Sequence, residues 1–138
     1  MELPKTFDEF LDVCTTFQNA GVTPLAAGLK SWEPLLKSSM AFVTAEYLST
    51  DEGKGFGEKY RNGEVTMDGT WNPYIETWSQ LIDNGVYTAD MTGIDHDQAL
   101  EQFATGGSAM FCSGPWDYDA IMEKNPELQL DMMPFYGT

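Results

Sequence analysis

Residues 98–118 read QALEQFATGGSAMFCSGPWDY, and this stretch decides the fold. Ala99, Leu100 and Phe103 recur at helical spacing, and Gly106 and Gly107 stop that helix. Ala109, Met110, Phe111 and Cys112 form a short apolar run, the pattern of a buried strand. Ser113, Gly114, Pro115 and Trp116 then turn the chain into another helix. Proline suits the first helical position, where its missing N–H costs nothing. Gly114 is expected to supply backbone dihedrals closed to other residues. Open α/β sheets bind ligands at the C-terminal ends of their strands. A turn there with backbone N–H groups and a large aromatic suits a small polar molecule with an apolar face, such as a sugar.

Upstream, Thr6 and Glu9 make a capping box for a helix striped by Phe7, Phe10, Leu11, Cys14 and Phe17 and closed by Gly21. Residues 22–27 (VTPLAA) read as a short strand, which Pro24 confines to an edge or a strand start. Residues 28–34 (GLKSWEP) form a loop into a helix striped by Leu36, Met40, Val43 and Tyr47. Residues 51–69 are glycine-rich and polar, a loop with a short helix. Residues 73–83 are helical, with Asn84-Gly85 as the stop. Asp95 caps the next helix with Gln98 three residues on, and a further helix runs from Pro115 to about Lys124. Residues 128–135 (LQLDMMPF) alternate like a final strand. The expected fold is a helix-rich α/β domain over residues 1–138, with about three short strands packed by five or six helices. A chain that opens on a helix cap and stops just past a strand reads as a piece of a larger protein.

Composition narrows the partners. The chain has 138 residues, 42% of them apolar, with 8 Phe, 6 Tyr and 4 Trp. That fits a globular domain and not a disordered one. It carries 22 acidic residues against 7 basic ones, a net charge of −15. Phosphate binding needs clustered Lys and Arg, so nucleic acid is excluded, and an anionic membrane surface with it. No apolar run approaches the roughly 18 residues of a membrane span. Cys14 lies on the apolar face of a helix and Cys112 in a strand. Two reduced, buried thiols are expected; a disulfide is the alternative, without a framework signature.

A search for reaction chemistry finds little. His96 is the sole histidine, placed between Asp95 and Asp97 in the first turn of a helix. It is expected to face solvent with no catalytic role, and three adjacent side chains on a helix diverge instead of converging on a metal. Gly53-Lys54-Gly55-Phe56-Gly57 follows no strand, so it reads as a surface loop and not a phosphate loop. No cofactor motif is present. Trp71 and Trp78 start and line a helix, where packing is the default. Trp32 and Trp116 instead stand in strand-to-helix turns that contain glycine. If both turns face one crevice, Trp116 offers the apolar face for a pyranose. Lys30, Glu33 and Asp117, with the N–H groups of Ser113 and Gly114, then offer partners for its hydroxyls.

Taken in order, the stretches PKTFDEF, AGVTPLAAG, FATGGSAMFCSGPW and PELQLDMMPF resemble the extracellular solute-binding proteins of family 1, the maltose-binding-protein-like receptors of bacterial ABC importers. Phe7 stands where that family commonly carries Trp; Gly107-Ser108-Ala109-Met110 and Gly114-Pro115-Trp116 match closely. The resemblance implies a two-lobed receptor of which residues 1–138 form most of the second lobe. It implies that Trp116 stacks on the sugar and that Lys30, Ser31 and Trp32 line the cleft. It implies a periplasmic or lipid-anchored extracellular protein, with the anchor outside this chain, that hands substrate to permease subunits. Two other readings compete with this one. One is a helical interaction domain whose aromatics are all core. The other is a fragment of a carbohydrate-active enzyme, which needs paired carboxylates in the same crevice. An exposed Trp116 ring favours the receptor; a packed ring favours the interaction domain.

Overall fold

The computed structural model describes residues 2–135. By their contacts the residues fall into two compact units, Met1–Leu35 with Leu81–Thr138, and Leu36–Gln80.

The first unit is built on a parallel pair of strands, β1 (Thr23–Ala26) and β2 (Ser108–Phe111), in the register Thr23↔Ser108, Leu25↔Met110 and Ala26↔Phe111. Among the described residues the sheet has two strands, so both are edges and Pro24 sits on an edge as expected. α1 (Phe7–Asn19) precedes β1 and packs on it. Its start is half of the expected capping box. Thr6 Oγ1 accepts from the Glu9 N–H at 3.2 Å, but the Glu9 carboxylate reaches one residue further back and accepts from the Lys5 N–H at 2.7 Å. α1 ends at Gly21, whose φ of 74° suits a residue without Cβ. α6 (His96–Ala104) and α7 (Tyr118–Lys124) flank β2. α6 opens on a full capping box, with Asp95 Oδ1 accepting from the Gln98 N–H and Gln98 Oε1 accepting from the Asp95 N–H, each at 3.0 Å. Phe10, Cys14, Leu25, Ala26, Leu81, Val86, Tyr87, Leu100, Cys112 and Ile121 are buried in this unit.

The expected third strand over 128–135 does not form among the described residues. That segment is irregular. Leu128 and Leu130 pack against a buried cluster of Leu100, Ala104 and Ile121. The alternation therefore reports side chains seated on a core, and it lacks the partner ladder that makes a strand.

The second unit is helical. α2 (Glu33–Val43) leads into a π-helical turn, Thr44–Leu48, closed by the Ser49 N–H on the Thr44 carbonyl at 3.0 Å. α3 (Phe56–Arg61), α4 (Met67–Thr70) and α5 (Asn72–Asp83) follow. α4 is a short helix beyond those expected, capped by Thr66, whose Oγ1 accepts from the Gly69 N–H at 3.3 Å. Aromatic rings hold the unit together. Tyr47 stacks on Tyr74 with centroids 5.9 Å apart, and Phe56 stands against Tyr47, Tyr60 and Trp71. Trp78 Nε1 donates to Ser38 Oγ at 2.8 Å. Trp71 and Trp78 are thus packing residues, as their positions predict.

Cys14 and Cys112 are both free and buried. Burial pushes the Cys14 thiol from 9.0 up to about 12. Between those values the unfolded thiol loses its proton while the folded one keeps it. Stability should therefore fall as pH rises from 9.0 towards 12, and Cys14→Ala should flatten that slope in urea unfolding across the alkaline range.

A second prediction concerns backbone approach. A Cβ on Gly53 would stand 2.1 Å from the Tyr47 carbonyl oxygen, whereas one on Gly57, within α3, meets nothing within 4 Å. Gly53→Ala should cost about 1–3 kcal/mol. Gly57→Ala should gain about 0.5–1 kcal/mol. Chemical denaturation of both variants checks the pair.

Candidate ligand-binding site

The parallel register brings the C-terminal ends of β1 and β2 to the same end of the sheet. The Cys112 N–H extends the ladder one step, donating to the Ala26 carbonyl at 3.0 Å. Two turns leave from that end, residues 27–33 and residues 112–117, both in the first unit.

In the first turn, Ser31 N–H donates to the Gly28 carbonyl at 3.1 Å, and Ser31 Oγ accepts from the Glu33 N–H at 3.3 Å, at the start of α2. Lys30 and Glu33 are exposed at the surface. Trp32 is 67% exposed. Gly28 is required by close approach, since a Cβ there would stand 2.7 Å from the Asp95 carbonyl carbon and the His96 nitrogen. The Lys30 N–H donates to the Ile94 carbonyl at 3.0 Å. This turn is therefore pinned to the segment that opens α6.

In the second turn, Pro115–Asp117 form a 3₁₀ turn with proline at its start, continued by α7. Trp116 is 63% exposed. Gly114 serves a different purpose from the one its sequence suggests. Its φ is −154°, extended backbone open to other residues. The indole folds back over it, so a Cβ would stand 2.3 Å from Trp116 Cη2. Glycine is needed there for space and not for dihedral freedom. Among the described residues the Gly114 N–H donates to no protein acceptor.

Asp117 is only 8% exposed. Its carboxylate accepts from Ser113 Oγ. It also accepts from His96 Nε2, 3.1 Å from Oδ1 and 3.0 Å from Oδ2. His96 therefore does not simply face solvent, as its place between two aspartates suggested. Its ring packs on Phe111 with centroids 5.6 Å apart. Tertiary pairing decides this, and the local sequence holds no sign of it. Sequence reasoning passed over His96; its position in the first turn of a capped helix was the only available signal.

Trp32, Lys30, Ser31, Glu33, Ser113, Gly114, Trp116 and Asp117 thus all lie on the two turns, with residues 94–96 fixed to both. Lys30, Trp32, Glu33 and Trp116 present exposed groups, while Ser113 and Asp117 point their polar atoms at each other and Asp117 also meets His96. A cavity of about 540 Å³ in the same unit is lined largely by apolar residues such as Phe10, Phe17, Phe103, Leu128 and Met133, and reaches the second turn at Ser113, Gly114 and Pro115. Neither Trp32 nor Trp116 lines it. No group of three or more His, Cys, Asp or Glu side chains suited to a metal occurs among the described residues. No helix among the described residues is long and apolar enough to cross a membrane.

A family model described as bacterial extracellular solute-binding protein matches residues 2–137. A comparison with curated proteins finds no match. Among solved structures, the chain is similar to one from work on xylan utilization by the thermophilic bacterium Caldanaerobius polysaccharolyticus, with 25% identity and a TM-score of 0.74. It is also similar to a chitin oligosaccharide binding protein, with 25% identity and a TM-score of 0.67. Each likeness covers 89% of this chain and 30% of the other. The chain therefore spans 30% of the length of these solved relatives.

Gly114→Ala should displace the Trp116 indole, because the new Cβ would stand 2.3 Å from the ring. The near-UV circular dichroism should change while the far-UV spectrum stays. The change should vanish when Gly114→Ala is made in a Trp116→Phe background. An unaltered near-UV spectrum would show that the ring is not held over Gly114.

Proposed function

This chain belongs to the bacterial extracellular solute-binding proteins, and we propose that it contributes the sugar-facing turns of a receptor that captures an oligosaccharide for an ABC importer. The family is a binding family, so the reading is capture without chemistry. The observation that carries it is the pair of exposed indoles, Trp32 and Trp116, on turns leaving one end of a parallel strand pair. A tryptophan held largely in solvent forgoes burial of a large apolar surface, and such rings are the anchors that ligands use. The exposure of Trp116 speaks against the reading in which every aromatic is core. The names of the two solved relatives, one tied to xylan use and one to chitin oligosaccharides, support a carbohydrate as the solute.

In this reading residues 1–138 make up most of the second lobe of a two-lobed receptor. Trp116 supplies an apolar face for a pyranose ring. Trp32, Lys30, Ser31 and Glu33 border the same ligand from the first turn, and the Gly114 N–H donates to it. Ser113 and Asp117 hold the second turn in shape. The ligand bridges the two lobes and shifts the population towards a closed form that the permease subunits recognise. Placement outside the cell, through a lipid anchor or in a periplasm, follows the same scheme.

The test is a tryptophan-fluorescence titration of the full-length protein with neutral oligosaccharides, including xylo- and chito-oligosaccharides. Saturable binding is expected, and Trp116→Ala should weaken it by about 2 kcal/mol or more, the scale of an interface anchor. A folded protein that responds to no sugar would overturn the carbohydrate reading.

A further inference from the structure

One polar group at the two turns is not used by the reading above. His96 is the sole histidine of the chain. Its Nε2 lies 3.0 to 3.1 Å from both oxygens of Asp117. An ionised carboxylate only accepts hydrogen bonds, so when the imidazole is neutral its one proton sits on Nε2. Nδ1 is then a bare acceptor. Among the described residues Nδ1 has no hydrogen-bond partner, and the side chain is 43% exposed.

The position of this acceptor is set from both sides. Gly28 packs against the backbone of Asp95 and His96, and Lys30 N–H holds the Ile94 carbonyl. Asp117 adjoins Trp116 in the chain and grips Nε2. The His96 ring packs against Phe111, with centroids 5.6 Å apart. His96 therefore stands between the Trp32 turn and the Trp116 turn, with its second nitrogen open.

We propose that His96 is a ligand-contacting residue whose Nδ1 accepts a hydrogen bond from a hydroxyl of a neutral ligand held at the two tryptophan turns, and that Asp117 is the positioning residue that sets its tautomer. The inference rests on the carbohydrate reading of those turns. It adds a selection rule. A bare acceptor needs a donor opposite it, so a hydroxyl is favoured there and a deoxy or O-methyl analogue is disfavoured, because either leaves Nδ1 unpaired. Asp117, with both oxygens committed inside the protein, acts through His96 and does not touch the ligand.

The experiment is ¹⁵N NMR of the imidazole in the full-length protein, where His96 is to be identified by its loss in His96→Phe. Without ligand, the signals should show Nε2 protonated and Nδ1 bare. Addition of the xylo- or chito-oligosaccharide that saturates the tryptophan fluorescence should shift Nδ1. His96→Phe keeps a ring against Phe111 and should weaken binding about 3- to 10-fold, the scale of one net hydrogen bond. Asp117→Asn, whose side chain donates as well as accepts, should let both tautomers populate. A proton on Nδ1 in the free protein overturns the proposal, as does a tautomer unchanged by Asp117→Asn. Saturable fluorescence with an unmoved Nδ1 signal overturns it while leaving the carbohydrate reading intact. Absence of any fluorescence response removes the carbohydrate reading, and this inference falls with it.

Discussion

Parallel pairing of β1 with β2 is the constraint on which the first unit depends. A parallel ladder cannot be closed by a tight turn, so the chain must travel a long way before returning beside itself. Here it leaves after Ala26 and returns at Ser108. The consequence is directional. Both strands end on the same side, so the two turns that follow them share one end of the sheet. Two strands of four residues are marginal on their own. Packing of α1 on β1 and of α6 on both strands supplies what the ladder lacks.

The turns are then locked by groups that cannot be left unpaired. A buried carboxylate is costly unless hydrogen bonds satisfy it. Asp117 meets that demand with the Ser113 hydroxyl and the His96 imidazole, and so ties the end of β2, the 3₁₀ turn and the start of α6 into one piece. Two glycines let backbone and ring approach where a side chain would intrude, Gly28 against the α6 start and Gly114 beneath the Trp116 indole. Polar satisfaction and steric absence together leave the indole exposed yet supported from below.

The four tryptophans divide by what their surroundings offer. Trp78 finds a hydroxyl for its N–H in Ser38, and Trp71 joins the rings around Phe56. Trp32 and Trp116 stand largely in solvent. The same residue type serves packing on or beside a helix and display on a strand-to-helix turn.

Much of this was legible from local chemistry. The helix starts at Thr6 and Asp95, the stop at Gly21, the strand after Gly107 and the proline-led turn before α7 depend on neighbours in sequence, and sequence patterns report neighbours well. The two tryptophan turns were marked by glycine and proline for the same reason. What failed depended on distant partners. The alternation at 128–135 describes which side chains meet a core, but a strand exists only when another strand completes its hydrogen bonds. Gly114 was marked as special, yet only the folded turn shows that the need is room for an indole and not a particular φ. His96 was set aside because it stands between two aspartates in the first turn of a helix, where solvent is expected, and its partner, Asp117, lies on another element. The sequence by itself determined which segments form helices and strands and where each must turn. Only tertiary structure decided which polar groups face each other, because a buried charge is satisfied by whatever the fold brings within about 3 Å, and not by what precedes it in the chain.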